Sequence, residues 1–72
     1  MPRVTAREAE RAILRDGWTL SSSRGSHRHY TQPTKGGRVT IAHHSSAIIR
    51  PKTLGSILIQ AVLSVDQFTN LL

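Results

Sequence analysis

The stretch "RGSHRHYTQPTKGGRVTIAHH", residues 24–44, decides the fold. Within it, "SHRHYTQ" alternates: Ser26, Arg28 and Tyr30 fall on one face of an extended chain, and His27, His29 and Thr31 on the other. "PTKGG" is turn material, with Pro33 and two adjacent glycines. "RVTIAHH" then resumes as a strand with Val39 and Ile41 facing a core. Working backwards, "WTLSSS" also alternates, with Trp18 and Leu20 on one side, and reads as a short strand fraying into a polar loop. Three strands in succession predict an antiparallel meander.

The flanks read as helices. In "VTAREAERAILRDGW", Thr5 is an N-cap and Glu8 stands three residues on, the spacing of a capping box. Ala6, Ala9, Ile13 and Leu14 supply an apolar face, and Gly17 suits a left-handed position after the last turn. Arg7, Arg11 and Arg15 stand one above another, most simply as a solvated stripe. After the connector "SSAIIRPK", the segment "TLGSILIQAVLS" predicts a second helix preceded by Lys52 or Thr53. Its stripe is Leu54, Ile57, Leu58, Ala61 and Val62. "SVDQFTNLL" repeats the capping-box spacing at Ser64 and Gln67 and predicts a short third helix or turn. The order is α-β-β-β-α, an α+β domain with helices on one side of the sheet and one open sheet face. No internal repeat or linker divides it, so residues 1–72 are expected to form one domain.

The chain has ten Lys and Arg against four Asp and Glu, a formal net charge of +6. Such a surface attracts polyanions, nucleic acid first and an acidic protein next. There is no cysteine, so disulfides and thiolate metal sites are excluded. No apolar run approaches the ~20 residues that cross a bilayer, and the N-terminal segment has no signal-peptide core. These features lead us to expect a cytoplasmic protein without a membrane partner.

Four histidines could in principle hold a metal: His27, His29, His43 and His44. No carboxylate lies near them in sequence and the surroundings are cationic, which opposes a dication, so neither metal nor small-molecule cofactor is expected. A Ser/His/Asp triad is disfavoured too, because adjacent Ser26 and His27 point to opposite faces of a strand. "KGG" lacks the spacing of a phosphate loop. Acid–base chemistry is the stronger option. RNA carries its own nucleophile, the 2′-hydroxyl, and histidine with arginine on one surface can move protons and stabilise the phosphorane. The same residues could instead only bind phosphate, and residue types alone leave both readings open.

A helix ending in "DGW", then "RGSHRHY", a turn, "VTIAHHS" and "KTLGSILIQAVLSVDQF" together resemble the HicA family of toxins from bacterial HicAB toxin–antitoxin systems. The resemblance runs from about Arg7 to Phe68. It implies a fold like the double-stranded RNA-binding domain and an endoribonuclease acting on mRNA, with a HicB-type antitoxin as partner; the histidine and arginine chemistry above leads us to expect cleavage without metal. It places the catalytic histidine at His27, after Gly25 and Ser26, and matches the family's second histidine to His44. The family usually has proline where Ala42 stands, and often has polar residues where Ala47 and Ile48 stand and glycine near the end of the second helix where Val62 stands. On this reading, RNA is expected along Arg24, Gly25, Ser26, Arg28, Lys35 and Arg38, with Arg50 and Lys52 nearby. His44 and His29 are the candidates for a second proton-transfer group. The competing readings are a non-catalytic RNA-binding module of the double-stranded-RNA-binding type, and a protein whose basic face takes only an acidic partner.

Overall fold

The computed structural model describes residues 1–44 and 46–72; Ser45, the last residue of "VTIAHHS" and the first of the connector, lies outside the described residues. Helix α1 spans Ala6–Arg15. It starts where the sequence predicts: the Glu8 amide donates to Thr5 Oγ1 at 3.2 Å, and the Thr5 amide donates to Glu8 Oε1 at 2.9 Å. Two amides that the first turn leaves without helical partners are satisfied in this way. Gly17 takes φ +100 just past the helix and turns the chain toward the sheet. Ala6, Ala9, Ala12 and Ile13 are buried. Leu14 is 45% exposed, contrary to expectation, because the buried stripe passes through Ala12 instead.

Strands β1 (Thr19–Arg24), β2 (His27–Thr31) and β3 (Val39–Ala42) form one antiparallel sheet in the order β1-β2-β3. β1 departs from its sequence reading in two ways. It runs on to Arg24 instead of fraying, and it excludes Trp18. Trp18 is buried in the approach to the strand, its indole N–H donating to Asp16 Oδ2 at 3.2 Å, whereas Leu20 is half exposed on an edge strand. A register shift between Leu20 and Ser22 takes up one extra residue there. β1 and β2 are joined by Gly25 and Ser26 alone, since Arg24 pairs with His27. Gly25 has φ +59 and Ser26 an ordinary negative φ, the pattern of a type II′ hairpin turn, which demands glycine at its first position.

Helix α2 spans Pro51–Ala61, so it begins earlier than the predicted Lys52 or Thr53 boundary. Proline at the first helical position lacks the amide that would go unpaired there. Leu54, Ile57, Leu58 and Ala61 are buried as expected. Val62 is not part of that stripe: it is the left-handed C-cap, with φ 55, and lies largely in solvent. Helix α3 spans Val65–Leu71 and carries the predicted Ser64–Gln67 capping box. Phe68 is fully buried, and Arg15 donates to the Leu71 carbonyl at 2.6 Å, fastening α3 to α1.

The core is one cluster between the helices and a single sheet face. Val4, Trp18, Tyr30, Val39, Ile41, Leu54, Ile57, Leu58 and Phe68 fill it with the alanines of α1 and α2. Each large apolar side chain so buried contributes roughly 1.5–3 kcal/mol. Two polar ties fix the frame. The Thr40 amide, on the margin of β3, donates to Gln60 Oε1 of α2 at 2.9 Å. The connector before α2 is held to the N-terminal segment by the Ile49 amide, which donates to the Val4 carbonyl at 2.8 Å.

Candidate active site on the open sheet face

Burial in the core fixes which way β2 faces. Tyr30 is fully buried on the helix side, and Arg28 reaches the same side. Alternation then sends His27 and His29 to the opposite, uncovered face. His27, the first residue of β2, is exposed and stands across from Arg24 on β1 and Ala42 on β3. His29 is half-buried, and its Nδ1 shares a 2.8 Å hydrogen bond with Thr40 Oγ1 on β3. Arg24, His27, His29 and Thr40 therefore share one surface.

Beneath that surface lies a polar cluster that sequence reasoning missed. One oxygen of Glu10, Oε2, accepts from Tyr30 Oη at 2.5 Å and from Arg28 Nη1 at 3.0 Å. Tyr30 Oη also lies 3.1 Å from His43 Nε2, which is 3.9 Å from the same carboxylate oxygen. With the phenol proton given to Glu10, His43 Nε2–H donates to the phenol oxygen, which fixes the imidazole tautomer. Burial pushes the Glu10 carboxyl up, but the hydrogen bonds from Tyr30 and Arg28 outweigh it and hold the carboxyl below its ordinary value. Burial and the bond to Glu10 raise the Tyr30 phenol. Burial, helped by Arg28 and opposed by Glu10, lowers His43, so its ring is neutral at pH 7. The cluster also steadies the turn before His27, because the His43 amide donates to the Ser26 carbonyl at 2.7 Å. Glu10 had one signal in the sequence: an acidic residue spaced four from Ala6 and three from Ile13, on the apolar stripe of α1.

The expected RNA-contacting residues separate into groups. Arg24, Gly25 and Arg38 are exposed, and Ser26 is half-buried in the turn beside His27. Arg28 is committed to Glu10, with its side chain 43% exposed at the sheet rim. Lys35 is turned the other way. Its ammonium donates to Asp16 Oδ2 at 2.8 Å, the Ala61 carbonyl at 3.0 Å and the Val62 carbonyl at 3.3 Å, capping α2 and joining it to the end of α1. Arg50 and Lys52 are exposed at the start of α2. His44 is exposed beyond the end of β3 and lines a cleft of about 440 Å³ with Ala6, Ala42, Ile57, Arg50 and Thr53, of which Ala42 pairs with His27. Among the described residues, no three histidine or acidic side chains converge as a metal site.

The hairpin "RGSH" and the third strand thus meet at one histidine, His27, while α2 is tied to the margin of that strand through Gln60 and Thr40. The pattern of the HicA toxin of bacterial toxin–antitoxin systems matches residues 6–63. The chain belongs to the HicA toxin family. No curated protein matches it. The matched span runs from the start of α1 to just past α2 and ends before α3. Membership in the HicA family carries the role of toxin in a toxin–antitoxin pair, a nuclease type of activity in general, and an antitoxin as counterpart. Among the described residues, no helix of this HicA chain is long and apolar enough to cross a membrane.

Proposed function

We propose that this HicA chain is a metal-independent endoribonuclease that cleaves mRNA in the cytoplasm, with His27 as its catalytic histidine. The observation that carries the reading is the exposure of His27 at a glycine-built hairpin turn, directly across from Arg24 on the uncovered sheet face. A histidine there can exchange a proton with the RNA 2′-hydroxyl or the 5′-oxygen near neutral pH. Arg24 supplies the cation beside it that the phosphorane needs. RNA lies across Arg24, the Gly25–Ser26 turn and Arg38, with Arg50 and Lys52 extending the track. The excess of positive charge makes this binding largely electrostatic and steeply salt-dependent. The products are a 2′,3′-cyclic phosphate and a 5′-hydroxyl.

Control comes from a HicB-type antitoxin that covers the same face and excludes RNA, drawn by charge complementarity. The test is cleavage of an unstructured RNA in excess EDTA by the parent protein and by His27→Ala. Cleavage by the parent and none by an equally folded variant is the expected result. RNA binding without cleavage by either would replace this reading with that of a non-catalytic RNA-binding module.

A further inference from the structure

We propose that His29 is the second proton-transfer group of the site, and that it straddles the scissile phosphate together with His27. The proposal rests on the reading of His27 as catalytic and adds the partner that reading lacks.

Position comes first. Two residues apart on one strand face stand about 7 Å apart, and an imidazole nitrogen works through a hydrogen bond of roughly 3 Å. That leaves room for one phosphate between the two rings, with the attacking oxygen near one and the departing oxygen near the other.

Orientation comes second. The Thr40 amide points away from β2 to Gln60, so His29 and Thr40 form the non-hydrogen-bonded kind of antiparallel pair, in which side chains approach most closely. Thr40 Oγ1 holds His29 Nδ1 at 2.8 Å. Nε2 is the nitrogen left for substrate. Of the other histidines, His43 Nε2 is bound to Tyr30 on the helix side, and His44 lies past the last residue of β3, on the cleft lined by Ala6, Ala42 and Ile57.

The step balances with two histidines. A neutral imidazole takes the 2′-hydroxyl proton as the 2′-oxygen bonds to phosphorus. The bond from phosphorus to the 5′-oxygen breaks, and the second ring, starting as imidazolium, gives its proton to that oxygen. No water, electron or metal is consumed.

The experiment uses two substrates in excess EDTA: an unstructured RNA, and uridine 3′-(4-nitrophenyl phosphate), whose leaving group needs no proton. His29→Gln is the main variant, since glutamine can still bond Thr40 but cannot transfer a proton; His29→Ala is the second. On RNA we expect kcat to fall by about 10²–10⁴ in both, with KM little changed. On the nitrophenyl ester, one of the His27→Ala and His29→Gln variants should recover to near the parental rate and the other should not, which identifies the acid. Parental RNA cleavage by both folded His29 variants would overturn the role of His29 while leaving that of His27 standing. A loss confined to KM would overturn it too. Inactivity of the parent on RNA would overturn both readings.

Discussion

Glu10 Oε2 and Tyr30 Oη stand 2.5 Å apart, joining the middle of α1 to β2 beneath the histidine-bearing face. The carboxylate takes a second donor from Arg28, and the phenol takes one from His43. All four side chains belong to one network that spans both elements and the exit from β3. Tyr30→Phe keeps the ring in the core but removes the hydroxyl, leaving the Glu10 and His43 positions short of a partner. We expect a loss of about 1–3 kcal/mol in stability, read from urea denaturation at pH 7.

The same network sets a pH window for stability. His43 is lowered on folding, so its contribution is present above its ordinary 6.5 and is lost as pH falls below it. Glu10 is also lowered, and its contribution is lost at more acid pH, from its ordinary 4.5 downwards. Tyr30 is raised, so its contribution is present below its ordinary 10.0 and is lost as pH rises further. The urea midpoint should therefore plateau between about 6.5 and 10 and fall on both sides. Glu10→Gln should flatten the lower acid limb; a limb identical to the parent's would refute the assignment.

Lys35 and Arg24 should separate stability from binding. Lys35→Met removes donors from Asp16 and from the last carbonyls of α2, and we expect about 1–3 kcal/mol of destabilisation with RNA affinity little altered in the folded fraction. Arg24→Ala should leave the denaturation midpoint near the parent's. It should instead reduce the salt slope of RNA binding by about 0.7 for one lost contact with a single strand. Fluorescence anisotropy across a salt series distinguishes the two.

Val62 holds a left-handed backbone, φ 55, that a β-branched residue resists. Its side chain is largely in solvent, so little packing is lost on truncation. Val62→Gly should stabilise the protein by about 0.5–1 kcal/mol, seen as a higher Tm. An unchanged or lower Tm would mean that packing at Val62 outweighs the backbone strain.

Features set by neighbouring residues were legible in the sequence. Both capping boxes, Thr5 with Glu8 and Ser64 with Gln67, lie within one helical turn, and the two faces of β2 follow from simple alternation. The placement of His27 and His29 on the uncovered face came from the same rule. What sequence could not show joins distant segments. Glu10 meets Tyr30 across 20 residues, and Lys35 reaches Asp16 and Ala61 across 19 and 26. A lysine in a turn looks solvated until the fold brings a helix end over it. Leu20 misled because alternation says which side a residue faces, not whether anything covers that side.

Gln60 has a further consequence for the sheet as a whole. By taking the Thr40 amide, its side chain occupies a position that an incoming fourth strand would need along β3. The other margin is β1, all six residues of which are exposed. A sheet obstructed on one side can be extended only from the other. Two copies meeting strand to strand through β1 would use up both available margins and stop at a pair, so this architecture is biased against runaway fibre growth.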